Sequence, residues 1–188
     1  MPLAAGKRSL QPLEGRITVK RSMAPVGSRD AGLLILGSLP GEASLRARQY
    51  YAHPQNQFWR LLGSAIGEDL AAMAYENRLA RLSSRGIALW DVVGEARRQG
   101  SLDGAIRGAM PNRLKEYVMA HPRLRAVAFN GKTAARLGRT ALAGLAPIQL
   151  IDLPSSSPAH TMAFADKLAQ WAILSSLACP QEVGTLAP

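Results

Sequence analysis

The chain has 188 residues, of which 47% are hydrophobic and 19% are charged, a balance that fits one globular domain with a sizeable core and excludes a largely disordered protein. The 23 Lys and Arg residues outnumber the 13 Asp and Glu residues, and the resulting net charge of +10 favours a polyanionic partner such as nucleic acid. No apolar run approaches the ~18–20 residues of a membrane span, so we expect no membrane partner.

The chain contains one cysteine, Cys179, which excludes a disulfide within the chain and any zinc or iron–sulfur site that needs four cysteines. We therefore expect no metal and no cofactor. A single thiol also fits a reducing compartment, and we expect a cytoplasmic, nucleoid-associated protein of bacterial type. Since no interface pattern is visible, a monomer is the default expectation.

Residues 1–30 are basic and have no clear hydrophobic period, which predicts a disordered arm ahead of a domain over residues 31–178 and a tail over residues 179–188. The arm lacks the continuous apolar core of a secretory signal. Three explanations for it stay open: a segment that contacts DNA, a targeting peptide, or an extension from a wrongly assigned start codon ahead of Met23.

Strands and helices are predicted to alternate along the rest of the chain. Short apolar runs predict strands over residues 32–37, 87–93, 126–129 and 148–153. Helical spacing of apolar residues predicts helices over residues 56–66, 72–85, 112–120 and 158–178, and another that starts over residues 132–137. The polar, basic residues 94–109 predict a connection with at most a single turn of helix. The expected fold is α/β, a three-layer α/β/α sandwich around a four-stranded, mainly parallel sheet.

Each predicted strand ends in a chemically distinctive group: the turn 37–41, Asp91, Asn130 with Gly131, and the segment 154–158. Ligands of parallel α/β proteins bind at the carboxyl ends of the strands. The sequence therefore predicts a site at one edge of the sheet.

The turn after the first strand reads Gly37-Ser38-Leu39-Pro40-Gly41, and its two glycines indicate exposed backbone amides that can approach a base or an attacking water. A purely structural strand-to-helix turn is the alternative. No dinucleotide fingerprint is present, because GxGxxG and GxxxxGK(S/T) are both absent.

A dense group of aromatic, histidine and amide side chains follows the turn and suits a flat, polar ligand such as a nucleobase. Its members are Tyr50, Tyr51, His53, Gln55, Asn56, Gln57, Phe58 and Trp59.

The stretch GSLPGEASLRARQYYAHPQNQFW over residues 37–59 resembles the first motif of the uracil-DNA glycosylase superfamily and, more narrowly, its hypoxanthine-DNA (deoxyinosine) glycosylase branch. Four further stretches agree with that branch in the expected order: LWDVV (89–93), GSLD (100–103), FNGK (129–132) and LPSSSP (153–158). The resemblance covers residues 30–175 and implies a monofunctional, metal-independent enzyme of base excision repair that acts on damaged DNA.

The resemblance also implies roles within the first motif. Leu39 stands where the thymine- and mismatch-specific relatives carry a catalytic asparagine, and leucine cannot position water through an amide. Asn56 takes the position implicated in catalysis in the hypoxanthine branch, with a helix cap as its alternative. Ser38, Asp91 or a backbone-held water would carry the chemistry if Asn56 does not. Tyr51 aligns with the aromatic residue that stacks on the flipped base, with a packed core tyrosine as its alternative. The expected base contacts are Gly37, Leu39, Pro40, Gly41, Tyr51, Asp91 and Asn130.

Asp91 ends an apolar strand, where an unpaired carboxylate is costly, so we expect it either to pair with Arg97 or Arg98 or to face the site. Asn130 resembles the FNGK asparagine of thymine-DNA glycosylase relatives, and a turn or cap role is its alternative. His53 is ambiguous between a surface residue, a structural contact and a phosphate neighbour.

The segment 153–160 resembles the second motif of the superfamily, which lies against the DNA backbone and enters the gap left by the extruded nucleotide. Hydroxyls and amides at a helix start bind phosphate well. Ser157 and Pro158 could equally be an N-cap and the first helical residue. The expected DNA contacts are Ser155, Ser156, Ser157 and His160.

The sequence thus predicts a glycosylase that extrudes deaminated bases, hypoxanthine foremost, and hydrolyses the N-glycosidic bond. A Schiff-base lyase would need an activated lysine, and nothing in the sequence indicates that Lys132 plays that part. The alternatives are a uracil or xanthine preference and a non-catalytic nucleic-acid-binding member of the superfamily. A serine hydrolase built from Ser155–Ser157, His160 and Asp91 is disfavoured because the GxSxG elbow is absent.

Overall fold

The computed structural model describes residues 17–145 and 148–178. In chain order, the strands are β1 (Thr18–Arg21), β2 (Leu33–Gly37), β3 (Ile87–Asp91), β4 (Val93–Arg98), β5 (Arg107–Pro111), β6 (Ala126–Asn130) and β7 (Gln149–Leu153). The α-helices are α1 (Glu42–Ala47), α2 (Phe58–Ile66), α3 (Tyr75–Ser84), α4 (Leu114–Met119), α5 (Lys132–Ala141) and α6 (Phe164–Trp171), and short 3-10 helices occupy Leu70–Ala72, Asp103–Ala105 and Ala172–Ser176.

The central sheet is parallel, with the strand order β3-β2-β6-β7. Successive residues of a strand point to opposite faces, so Leu33 and Ile35 of β2 pack into the layer of α2, α3 and α6, whereas Leu34 and Leu36 pack into the layer of α4 and α5. All four are fully buried, and burial of each such side chain stabilises the fold by about 1.5–3 kcal/mol. The predicted three-layer α/β/α sandwich around a four-stranded parallel sheet is confirmed.

A second sheet is antiparallel and has the order β1-β4-β5. The prediction of a connection over residues 94–109 is wrong, because β4 and β5 form a hairpin there. The prediction of a disordered arm is wrong for residues 18–21, which pair with residues 95–98. The segment TVKR has little strand pattern of its own, and its pairing partner lies too far along the chain for a local pattern to reveal it.

Element ends differ from the predicted ones where the chain turns before a helix starts. Helix α3 begins at Tyr75 and α6 at Phe164, several residues later than the apolar spacing predicts. Strand β3 ends at Asp91 because the chain passes at Val92 from the parallel sheet into the antiparallel one.

Residues 1–16 and 179–188, including Cys179, lie outside the described residues, so the division into arm, domain and tail stays a prediction. Among the helices that the structure describes, none is both long enough and apolar enough to cross a lipid bilayer.

Candidate active site at the carboxyl edge of the sheet

The turn 37–41 follows β2, and its carbonyl groups are bonded into the framework. The carbonyls of Gly37 and Ser38 accept the amides of Val92 and Val93, at 2.8 and 2.9 Å. These two bonds fix the turn against the crossing point between the two sheets.

Arg98 of β4 holds the middle of the turn. Its guanidinium donates to the carbonyl of Leu39 at 3.1 Å and to the carbonyl of Pro40, and its side chain is fully buried. Burial lowers the pKa of Arg98, and the charge of nearby Asp103 opposes that shift. The amides of Ser38, Leu39 and Gly41 donate to no acceptor in residues 17–145 or 148–178. The carbonyl groups of the turn are therefore hydrogen-bonded within the protein, whereas these three amide groups have no acceptor among the described residues.

The GSLD stretch holds the same turn from the other side. Ser38 Oγ donates to Asp103 Oδ1 at 2.6 Å, and Ser101 Oγ accepts the amide of Glu42, the first residue of α1, at 3.0 Å. The resemblance singled out this stretch without a role for it. The GSLD motif in the sequence thus pointed to Asp103, whereas no motif pointed to Arg98 as a residue that supports the turn.

Leu39 is 5% exposed, and its side chain packs with Val93 and Ala96. Pro40 is buried as well. The side chain of Leu39 thus lies in an apolar cluster, and a base contact of Leu39 through its backbone amide stays a prediction.

Asp91 lies under the turn and is 3% exposed. Its carboxylate accepts the hydroxyl of Ser22 at 3.0 Å and forms no ion pair with Arg97 or Arg98 in the described part of the chain. A β-carbon added to Gly37 would lie 2.7 Å from Asp91 Oδ1 and 3.1 Å from the Tyr51 hydroxyl. Of the two alternatives for Asp91, the geometry favours the one in which it faces the site, and Ser22 is a partner that the sequence did not reveal.

Burial raises the pKa of Asp91 from 3.8 to about 7, and the hydrogen bond from Ser22 only partly offsets this effect. The folded state thus binds this proton more tightly than the unfolded chain does. The stability contributed by the neutral carboxyl is complete below pH 3.8 and is lost as the pH rises through about 7.

Replacement of Asp91 by asparagine is therefore expected to stabilise the protein more at pH 8 than at pH 5, by a difference on the order of 2 kcal/mol, or about 5 °C in the thermal midpoint. Calorimetry of both proteins at the two pH values measures this. Asp152→Asn, at an exposed carboxylate, is the control and should show no such difference. An equal change at both pH values for Asp91→Asn would contradict the assignment.

Tyr51 adopts a left-handed backbone conformation with φ of 55°, and its ring stacks on Phe58 with a centroid distance of 3.6 Å. The Tyr51 hydroxyl is buried without a hydrogen-bond partner in the described residues. Burial raises the pKa of Tyr51, while the nearby Asn130 amide acts in the opposite direction. Tyr50, by contrast, is a packed core tyrosine, and its hydroxyl donates to the Ala24 carbonyl at 3.1 Å. One face of the Tyr51 ring is thus covered by Phe58.

Asn56 precedes α2 and is half-buried. Its Oδ1 accepts the amide of Phe58 at 3.0 Å, so the capping contact is present. The Nδ2 amide of Asn56 donates to no group among the described residues. Capping and contact with a ligand are therefore compatible, since they use different atoms of the same side chain.

Asn130 and Ser156 hold the ends of β6 and β7 together. Asn130 Nδ2 donates to Ser156 Oγ and the Ser156 amide donates to Asn130 Oδ1, both at 2.8 Å. The Ser156 carbonyl accepts the amide of Gln57, and Ser156 is fully buried. Ser156 is therefore hydrogen-bonded within the protein through its amide, its carbonyl and its hydroxyl oxygen, and its expected DNA contact stays a prediction. The structure gives Asn130 the turn-supporting role that was its alternative.

The rest of the second motif forms local turns. Ser155 Oγ accepts the Ser157 amide, and Ser157 Oγ accepts the Ala159 amide, both at 3.2 Å. Ser157 does not cap a helix, because α6 begins at Phe164. His160 Nε2 is buried and has no partner in the part of the chain that the structure describes. DNA contacts through Ser155, Ser157 and His160 stay a prediction.

Lys167 of α6 connects the two motifs. It is 1% exposed, and its ammonium donates to Gln57 Oε1 at 3.0 Å and to the His160 carbonyl at 2.8 Å. His53, in contrast, is exposed, and its Nδ1 accepts the Gln55 amide at 3.2 Å, which is a local turn contact. No group of three or more His, Cys, Asp and Glu side chains that could hold a metal ion is present among the described residues.

The comparisons with known proteins agree with this geometry. The family described as the Uracil DNA glycosylase superfamily matches residues 24–178. The chain is 47% identical over 113 residues to Hypoxanthine DNA glycosylase of Methanosarcina barkeri, across 60% of this chain and 72% of the relative. It is 41% identical over 156 residues to Hypoxanthine DNA glycosylase of Methanosarcina acetivorans, across 81% of this chain and 96% of the relative.

A solution NMR structure of a candidate uracil DNA glycosylase from Methanosarcina acetivorans has a TM-score of 0.76 and 38% sequence identity, and it covers 85% of this chain and 99% of that one. The family match spans all four strands of the parallel sheet and every group at their carboxyl ends. The chain therefore belongs to the uracil DNA glycosylase superfamily.

Proposed function

We propose that the protein is a monofunctional DNA glycosylase that releases hypoxanthine from deoxyinosine in DNA, the first step of base excision repair. The observation that carries the proposal is the similarity to two relatives named Hypoxanthine DNA glycosylase at 41–47% identity, combined with free backbone amides in the turn 37–41 and the ring of Tyr51 at the strand edge. The net charge of +10 supports a DNA partner.

The reaction requires the nucleotide to leave the stack, since the glycosidic bond cannot be reached inside the duplex. The extruded base would stack on the face of the Tyr51 ring opposite Phe58, and such stacking contributes about 1–3 kcal/mol per base. The free amides of the turn 37–41 and the Nδ2 amide of Asn56 are donors that can stabilise the negative charge that develops on the departing base.

In the chemical step, the oxygen of a water forms a bond to C1′ while the bond from C1′ to N9 breaks, and the electron pair leaves with the base. Hypoxanthine takes up a proton, and an abasic sugar with its hydroxyl remains. A lyase step would need a lysine that attacks C1′. Lys167 is the buried lysine of the site, and its ammonium is bonded to Gln57 and His160, so we assign it no such role.

Base release from matched oligonucleotides tests the proposal. Duplexes that carry deoxyinosine, deoxyuridine or deoxyxanthosine are incubated with excess protein, and strand breaks are read before and after treatment with alkali. We expect the fastest release from deoxyinosine, with breaks only after alkali. Faster release of uracil or xanthine would overturn the base preference, and breaks without alkali would overturn the monofunctional assignment.

A non-catalytic DNA-binding member of the superfamily is the second candidate, and Leu39 is the observation that favours it. The buried leucine side chain occupies the position of a catalytic amide in some relatives, and it offers no hydrogen bond. Retained binding to DNA together with no release of any of the three bases would establish this second candidate in place of the first.

A further inference from the structure

We propose that Asp103 is a catalytic residue that holds the attacking water and accepts its proton. The apolar side chain of Leu39 cannot perform this role. This inference rests on the proposed glycosylase function. It assigns to the GSLD stretch a chemical role beyond its support of the turn 37–41.

The position of Asp103 is the first argument. It begins the short 3-10 helix Asp103–Ala105 in the connection between β4 and β5, and it is half-buried. Its Oδ1 accepts the Ser38 hydroxyl at 2.6 Å. Its Oδ2 has no hydrogen-bond partner within residues 17–145 and 148–178, so one carboxylate oxygen at the rim of the turn is available to a water.

The proximity of Asp103 to the residues around Gly37 is the second argument. The negative charge of Asp103 contributes to the raised pKa of both Tyr51 and Asp91. Those two groups converge on Gly37, the first residue of the turn. Asp103 therefore lies within electrostatic reach of Tyr51 and Asp91, although it belongs to the connection between β4 and β5 and Tyr51 lies between α1 and α2.

The other candidates for this role are occupied or unsuitable. Asp91 is more deeply buried, accepts a hydrogen bond from Ser22, and has a pKa raised by burial to about 7, so a large fraction of it is protonated at neutral pH. The oxygen of the Asn56 side chain is committed to the Phe58 amide. Asp103 is the carboxylate that combines a free oxygen with access to the turn.

The chemistry follows from this position. As the water oxygen bonds to C1′ and the glycosidic bond breaks, Asp103 Oδ2 takes one proton of the water. The Ser38 hydroxyl, which donates to Oδ1, keeps the carboxylate in one orientation. The departing base takes up a proton from solvent and Asp103 afterwards releases its proton to solvent, so that the sum of the step is the addition of one water across the bond. Such general base catalysis contributes a factor of about 10²–10⁴ in rate.

Asp103 could instead act only by holding the turn, and a set of variants separates the two roles. Asp103→Asn keeps an acceptor for the Ser38 hydroxyl but removes the base. Ser101→Ala is the matched control, because it removes the other hydrogen bond between this connection and the segment that follows the turn. Single-turnover release from deoxyinosine DNA, DNA binding and the thermal midpoint are measured for each protein.

We expect Asp103→Asn to lower the release rate by about 10²–10⁴-fold with DNA binding retained, whereas Ser101→Ala stays within about threefold of the wild type. Added formate is expected to restore at least part of the rate of Asp103→Ala, since a small carboxylate can occupy the vacated space. A formate effect of this kind would not arise from a role in folding.

Three results would overturn the inference. Asp103→Asn could retain the wild-type rate, Ser101→Ala could lose as much activity as Asp103→Asn, or formate could leave the rate of Asp103→Ala unchanged. If the wild type itself releases none of the tested bases, the proposed function fails and this inference fails with it. If the wild type is active and Asp103→Asn is equally active, the inference about Asp103 fails and the proposed function stands.

Discussion

Replacement of Asn56 by alanine is expected to lower single-turnover hypoxanthine release by about 10²–10³-fold, the usual effect of removing one preorganised donor from a departing anion. The physical reason is that Nδ2 of Asn56 has no acceptor among the described residues and lies just before α2, where it is free to donate to a ligand. The same substitution removes the cap on the Phe58 amide and should lower the free energy of unfolding by about 1 kcal/mol.

Asn56→Asp separates these two contributions. Aspartate keeps an oxygen that can accept the Phe58 amide, but it has no amide donor and adds a negative charge. We expect its thermal midpoint to match the wild type and its rate to be as low as that of Asn56→Ala. Asn77→Ala, at an exposed asparagine of α3, is the control for both measurements. Wild-type release by Asn56→Asp would show that Asn56 acts through its cap and not on the base.

Replacement of Arg98 by methionine is expected to affect both stability and rate. Methionine retains the apolar stem volume, but it leaves the buried carbonyls of Leu39 and Pro40 without a donor, and each unsatisfied group costs about 1–3 kcal/mol. Removal of a buried cation offsets part of this loss. The net destabilisation should be about 2–4 kcal/mol, which corresponds to a thermal midpoint lower by about 5–15 °C.

The rate should fall with Arg98→Met because the turn 37–41 carries the free amides of the pocket. A displacement of about 1 Å in such a group lowers a rate by about 10²-fold. Arg98→Lys is the informative partner variant, since lysine keeps the charge but cannot bridge two carbonyls with a planar fork. Denaturant unfolding and single-turnover release at a temperature where both variants are folded measure the two effects. A fully active Arg98→Met would show that the turn keeps its shape without this support.

Local patterns were sufficient for the parallel sheet and for the place of the site. The buried strands β2, β3, β6 and β7 are short apolar runs bounded by turns, and a run of this kind reports burial on both faces of a sheet. Their carboxyl ends meet at one edge, so Gly37, Asp91 and Asn130 could be placed together before any coordinates were known.

The partners of these residues depend on contacts between distant segments, and no local pattern records them. Asp91 is bonded to Ser22, and Asn130 is bonded to Ser156. In the motif, Leu39 stands out because some relatives carry an asparagine there. Only its packing against Val93 shows that its side chain lies in an apolar cluster.

The sequence by itself determined the family resemblance, the parallel α/β core and the edge of the sheet at which the site lies, because each of these is written in short-range hydrophobic spacing and in ordered motifs. The tertiary structure alone decided which polar groups are bonded and which are free. Arg98 and Asp103 reach the turn from a second, antiparallel sheet, whose strand β1 contains little apolar pattern and forms through backbone pairing with β4. Pairing of this kind is set by the whole fold, which is why it could not be predicted from the residues that take part in it.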